Sequence, residues 1–86
     1  MVSVEKFGKM VQVSVKGISD VEDGASIAQL GDIPKSYTMV SMPYYSTDSG
    51  KIRHCQVEVN EEGKVIVSNI DEVNENLNGS LCFIKA

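Results

Sequence analysis

Over residues 10–16 apolar and polar side chains alternate strictly, setting Val11, Val13 and Val15 on one face of an extended segment and Gln12, Ser14 and Lys16 on the other. The pattern predicts a half-buried strand closed by Gly17, followed by a solvated loop over 19–24 and a short second strand over 26–30. Residues 38–44 return to strand character, with Val40 and Met42 on one face and Met39 and Ser41 on the other. Pro43 interrupts that run. Proline has no N–H for a ladder, so the strand either stops there or lies on a sheet edge. Residues 46–50 form a polar loop with Tyr44 and Tyr45 at its entrance.

The clearest hairpin comes next. Residues 52–59 place Cys55, Val57 and Val59 opposite His54, Gln56 and Glu58. A tight loop over 60–63 ends in Gly63, and Val65 and Val67 continue the apolar face over 64–68. Residues 71–76 are acidic and rich in asparagine and read as a loop. Asn78-Gly79 is a turn signal, and a last strand covers 81–85. With no segment of helical period, the expected fold is all-β: a small antiparallel β-sandwich or barrel of about six to eight short strands. Its interior is built from valines, leucines, isoleucines and Phe83.

At 86 residues and 9.4 kDa the chain is one domain. A domain of that size buries roughly 60% of the surface its unfolded chain exposes. Small cores of this kind lean on disulfides, a metal or a partner chain. Cys55 and Cys82 lack the paired spacing of a zinc site, and the single His54 cannot complete four ligands, so no metal and no cofactor is expected. Both cysteines fall in predicted strands, where a free thiol behaves as a small buried hydrophobe; a Cys55–Cys82 disulfide is the alternative. The remaining support is oligomerisation.

Eight basic residues scattered among twelve acidic ones, a net charge of −4 and a pI near 4.8 argue against a nucleic-acid partner. Apolar runs of a few residues fall far short of the roughly 20 needed to cross a bilayer, so no membrane insertion is expected. No basic start followed by an apolar centre marks a signal peptide.

Catalytic constellations are thin. His54 and Cys55 are adjacent in a strand and point to opposite faces, which rules them out as a dyad. Glu58, Glu61 and Glu62 flank an exposed hairpin and read as solvated carboxylates. Asp20, Glu22 and Asp23 lack the spacing of a calcium loop. Asn78-Gly79-Ser80 fits a glycosylation acceptor, but a turn explains it without one. What is left is a surface cluster: Tyr44, Tyr45, Asp48, Arg53 and His54 gather around one loop. Aromatic rings for the C–H faces of sugars and planar polar groups for hydroxyls are what a saccharide site needs. The competing reading has one tyrosine packing inward and the others as ordinary surface residues.

Between the first two alternating runs and the third lies Ile33-Pro34-Lys35-Ser36-Tyr37, where Pro34 fixes its own φ and holds Ile33 extended, giving a strand end, a turn and a new strand. Four blocks in order carry a resemblance. They are Phe7-Gly8-Lys9-Met10-Val11-Gln12-Val13-Ser14-Val15, then Ile27-Ala28-Gln29-Leu30 ahead of this Ile-Pro-x-x-Tyr turn, then the hairpin from Val57 through Gly63 to Val65, and the terminal Ser80-Leu81-Cys82-Phe83-Ile84. In that order the chain resembles the C-terminal head domains of tail-fibre and baseplate receptor-binding proteins of bacteriophages and prophages. It departs from them at Thr38-Met39, where proline often follows the tyrosine, and in lacking tryptophan.

The resemblance implies a non-catalytic head, residues 1–86 with 1–6 leading from a shaft, assembled as a homotrimer on a virion tail and adhering to host surface polysaccharide. A purely structural trimerisation or capping domain is the alternative. On either reading the Ile-Pro-x-x-Tyr turn is scaffold.

Overall fold

The computed structural model describes residues 1–71 and 73–86 and is all-β. Its strands are β1 (Val2–Phe7), β2 (Met10–Ile18), β3 (Ala25–Gln29), β4 (Thr38–Ser46), β5 (Lys51–Val59), β6 (Lys64–Ser68), β7 (Asn74–Glu75) and β8 (Leu77–Ile84). They form two antiparallel sheets, β1-β2-β8 and β3-β6-β5-β4-β7, one of them curled into a half-barrel. The expected six to eight strands are therefore eight among the described residues.

Local chemistry explains most of the pairings. Gly8 (φ 62) takes the first central position of the two-residue β1–β2 turn, where a type II′ geometry demands positive φ, and Phe7 opposes Met10 across it. In the β5–β6 loop the Asn60 Oδ1 accepts from the Glu62 and Lys64 N–H groups, each at 2.9 Å. Gly63 (φ 78) completes that turn where a Cβ would lie 2.9 Å from the Leu30 carbonyl oxygen. The alternation read from sequence holds. Val11, Val13 and Val15 from one sheet meet Met42, Cys55, Val57, Val59, Val65 and Val67 from the other in a single core.

Pro43 does not stop β4; it sits mid-strand opposite His54. The Thr47 N–H bonds the Val73 carbonyl on the far side of β4, and counting back by twos puts the Pro43 nitrogen on that same side, beyond the reach of the two-residue β7. The missing donor therefore faces an open edge.

Four expectations are corrected. Asn78-Gly79 is not a turn but lies inside β8, because the facing sheet comes too close at Gly79 for any side chain: a Cβ there would sit 2.7 Å from Met42 Cγ. Cys82 is exposed rather than buried, on the outer face of β8 opposite Gln12, while Cys55 is buried in the core. The two thiols, on different sheets and facing different sides, are free, so the disulfide alternative fails. Within the segment read as a loop over 71–76, Glu72 lies outside the described residues and Asn74–Glu75 form β7. Residues 2–6 lie within β1.

Ile33-Pro34-Lys35 acts as scaffold. The Lys35 N–H bonds the Ile84 carbonyl at 2.7 Å and the Ala86 N–H bonds the Ile33 carbonyl at 2.9 Å, latching the β3–β4 connection of one sheet onto the end of β8 in the other.

Candidate functional site

The β4–β5 hairpin sorts the five candidate residues by strand parity. Tyr44 follows Met42 by two, shares its inward face and is 2% exposed. Its hydroxyl accepts a hydrogen bond from the Asp71 N–H at 3.2 Å. Tyr44 is therefore a core residue and offers no ring face to a ligand, which removes it from the aromatic pair expected at the loop mouth. Arg53 opposes Tyr44, projects to the same side near the turn of the hairpin, and stands 3.5 Å from the Asp71 carboxylate.

Behind these lies a polar knot. The Ser46 hydroxyl donates to Asp71 Oδ2 at 3.1 Å. The Asn74 side chain, 1% exposed, accepts from the Val21 N–H at 3.0 Å and donates to the Val21 carbonyl at 2.9 Å, imitating a strand pair; it also donates to the Asp71 carbonyl. This knot closes the end of the core and is structural.

The opposite face carries Pro43 and Tyr45 on β4 against His54 and Ile52 on β5. Tyr45 is 36% exposed and Ile52 63%. Tyr45 opposes Ile52 directly, an aromatic and β-branched pair of the kind that stabilises sheets. The Tyr45 hydroxyl reaches toward Gly50 in the turn. Asp48 is exposed in that same turn, away from the paired rings.

Beyond the open edge of β4, Asn76 and Asn78 complete a shallow pocket of about 330 Å³ with Pro43, Tyr44, Tyr45 and Ile52. Of the five residues singled out from sequence, Tyr45 and His54 thus share a surface, Arg53 and Tyr44 face the other way, and Asp48 stands apart. Pro43, Ile52, Asn76 and Asn78 were not singled out. Pairing the hairpin about residues 47–50 brings Ile52 opposite Tyr45 from sequence alone, whereas the asparagines arrive through non-local packing.

A second pocket of about 330 Å³ opens at the other end of the molecule, between Pro34, Lys35, Ser36 and Tyr37 on one side and Glu58, Val59, Asn60 and Glu61 on the other. Desolvation, with the nearby Glu58 carboxylate, holds the Tyr37 phenol above its ordinary value. Its wall mixes one cation with two carboxylates and presents no single charge to a ligand. Among the described residues no three of His, Cys, Asp and Glu gather in metal-binding geometry, and no helix is long and apolar enough to cross a membrane.

No protein-family model matches the chain, and no curated protein matches its sequence.

Proposed function

We propose that this domain is a non-catalytic adhesion module that binds a saccharide on the outer face of the β4–β5 hairpin, as the host-attachment head of a phage or prophage tail. The observation that carries this reading is the pocket beside Tyr45. An exposed aromatic ring, an apolar floor of Pro43 and Ile52, and the exposed side chain of Asn76 line it, with Asn78 completing the rim. A ring for C–H stacking and planar amides for hydroxyls are the chemistry a weak sugar site uses. His54 borders the same face through its pairing with Pro43.

The test is binding of the folded domain to a glycan array and to whole bacterial cells, with Tyr45→Ala and Asn76→Gly as losses and Tyr44→Phe as a retained control. A folded domain that binds neither cells nor polysaccharide, or one whose binding is untouched by Tyr45→Ala, defeats the proposal.

One observation favours the alternative, a structural capping or assembly domain. Phe7, Met10 and Ile84, cross-strand neighbours on the outer face of β1-β2-β8, are 56%, 42% and 45% exposed and form an apolar row. Assembly without glycan binding in the same assays would select that reading.

A further inference from the structure

The open edge of β1 is self-complementary. Met1 and Lys16 exchange both backbone bonds, Met1 donating to the Lys16 carbonyl at 2.5 Å and Lys16 donating to the Met1 carbonyl at 2.9 Å. Such exchanges recur at every second residue of an antiparallel pair, so Ser3, Glu5 and Phe7 turn their N–H and C=O groups toward β2. Val2, Val4 and Lys6 turn theirs outward, to a side where no described strand pairs.

A row of unpaired groups is a template for another strand, and proteins blunt it with proline, bulges or inward-pointing charge. β1 has no proline and pairs with β2 without a register shift. Its one core-side charge, Lys6, is matched by the Asp32 carboxylate at 2.8 Å. Val4, which shares the core-facing side with fully buried Val13, is still 40% exposed, so the apolar interior runs out to this edge uncovered.

We infer that β1 pairs antiparallel with β1 of a second copy of this chain about a two-fold axis through Val4. Continuity of the inner and outer faces requires the axis to pass through a residue rather than between two. Centring on Val4 sets Val4 against Val4 and Val2 against the second copy's Lys6, so every outward-facing group of residues 2, 4 and 6 finds a partner. Centring on Ser3 leaves Lys6 opposite no residue of β1. Centring on Glu5 opposes the two Glu5 carboxylates, a destabilising arrangement of like charges directly across a pair. In the Val4 register Glu5 faces Ser3. The product is a six-stranded sheet, β8-β2-β1-β1-β2-β8, with the two Val4 side chains closing the core between copies. This pairing does not depend on the saccharide site.

The first measurement is the mass of the full chain by sedimentation equilibrium and light scattering. A species of twice the 9.4 kDa chain mass is expected. Val4→Pro removes only an outward N–H and spares the β1–β2 ladder, so it yields a folded monomer. In a Cys82→Ser background, Val4→Cys oxidises to a covalent dimer, because the Cα atoms of a hydrogen-bonded pair lie about 5.5 Å apart, within disulfide reach. Val2→Cys does not, since the two Val2 positions are four residues apart along the sheet, about 13 Å. A chain that stays monomeric to millimolar concentration, a trimer, a dimer that survives Val4→Pro, or equal cross-linking at positions 2 and 4 overturns the inference.

Discussion

Replacing Gly79 with alanine should destabilise the native chain and stabilise it once Met42 has been cut back. At Gly79 a Cβ would stand 2.7 Å from Met42 Cγ, 2.8 Å from Sδ and 3.3 Å from Cβ. The contact involves the stem of the methionine as well as its tip, and Met42 is 1% exposed in the shared core, so it has nowhere to swing. Overpacking of this kind costs about 1–3 kcal/mol. Against it stands the conformational freedom of glycine in a strand interior, whose removal is worth about 0.5–1 kcal/mol because Gly79 does not use positive φ. The net expectation for Gly79→Ala is a loss of about 0.5–2 kcal/mol, the difference of those two figures.

Met42→Ala alone should cost about 2–5 kcal/mol through lost burial and a cavity. On that background the new methyl fills space left by the methionine and only the entropic gain survives, so the sign of Gly79→Ala reverses. Urea denaturation of the four variants reads this directly. With a slope of about 1 kcal/mol/M for so small a chain, midpoints should move by about 0.5–2 M downward in the native background and by about 0.5–1 M upward in the other. Additive costs would show that the two sheets do not meet at this point.

Three further outcomes follow from particular contacts. Asn74→Ala strips both partners from the buried Val21 N–H and C=O and should cost about 1–3 kcal/mol in thermal or urea unfolding, with lost hydrogen-exchange protection at the Val21 amide; an unchanged Val21 amide would contradict the clamp. The Lys6 ammonium holds the Asp32 carboxyl below its ordinary value of 3.8, so the stability it lends is present above that pH and lost as pH falls through the folded value. Lys6→Met should move the Asp32 NMR titration midpoint up and flatten that acid limb, and a midpoint that stays put refutes the pairing. Finally, one thiol per chain, Cys82, should react with a thiol reagent under native conditions and two after denaturation, because burial closes off Cys55 and raises its pKa; native modification at Cys55 would contradict its placement.

Strand parity was the legible part of the fold. The valine alternation of β2, the Cys55, Val57 and Val59 face of β5 and the Gly63 hairpin all follow from period-two patterning and turn chemistry, which act over a few residues. Parity also contained the fate of Tyr44. Carrying the inward face of Val40 and Met42 through Pro43 reaches Tyr44, not Tyr45, but only once Pro43 is accepted as an edge residue within the strand.

What escaped was set by contacts distant in sequence. Asn78-Gly79 carries a turn signature, and only the approach of Met42 from the other sheet shows why glycine is needed in a straight strand. Cys82 lies in a strand like Cys55, but β8 belongs to a three-stranded sheet with one covered face, and its alternation sends Cys82 to the open one.

The candidate site owes its shape to three asparagines spaced by two, and their unequal burdens decide which can be offered to a ligand. Asn74 points inward and is consumed by Val21. Asn78 accepts from the Gly17 N–H at 2.9 Å and donates to the Asn76 carbonyl at 2.7 Å, tying the end of β2 to the start of β8. Asn76, between them, sits at φ 54, a conformation asparagine tolerates better than most residues, and contributes its backbone to those ties through the Ser19 hydroxyl at 3.3 Å. Its exposed side chain is thus the amide that can turn to a ligand at the rim of the Tyr45 pocket without undoing the fold. The same geometry dictates the probe. Alanine at 76 would add backbone strain to the loss of the amide, whereas glycine removes the amide and accepts the positive φ. A binding loss in Asn76→Gly with an unchanged unfolding midpoint therefore reports on recognition, while the same loss in Asn78→Ala would be confounded by the released β2 and β8 ends.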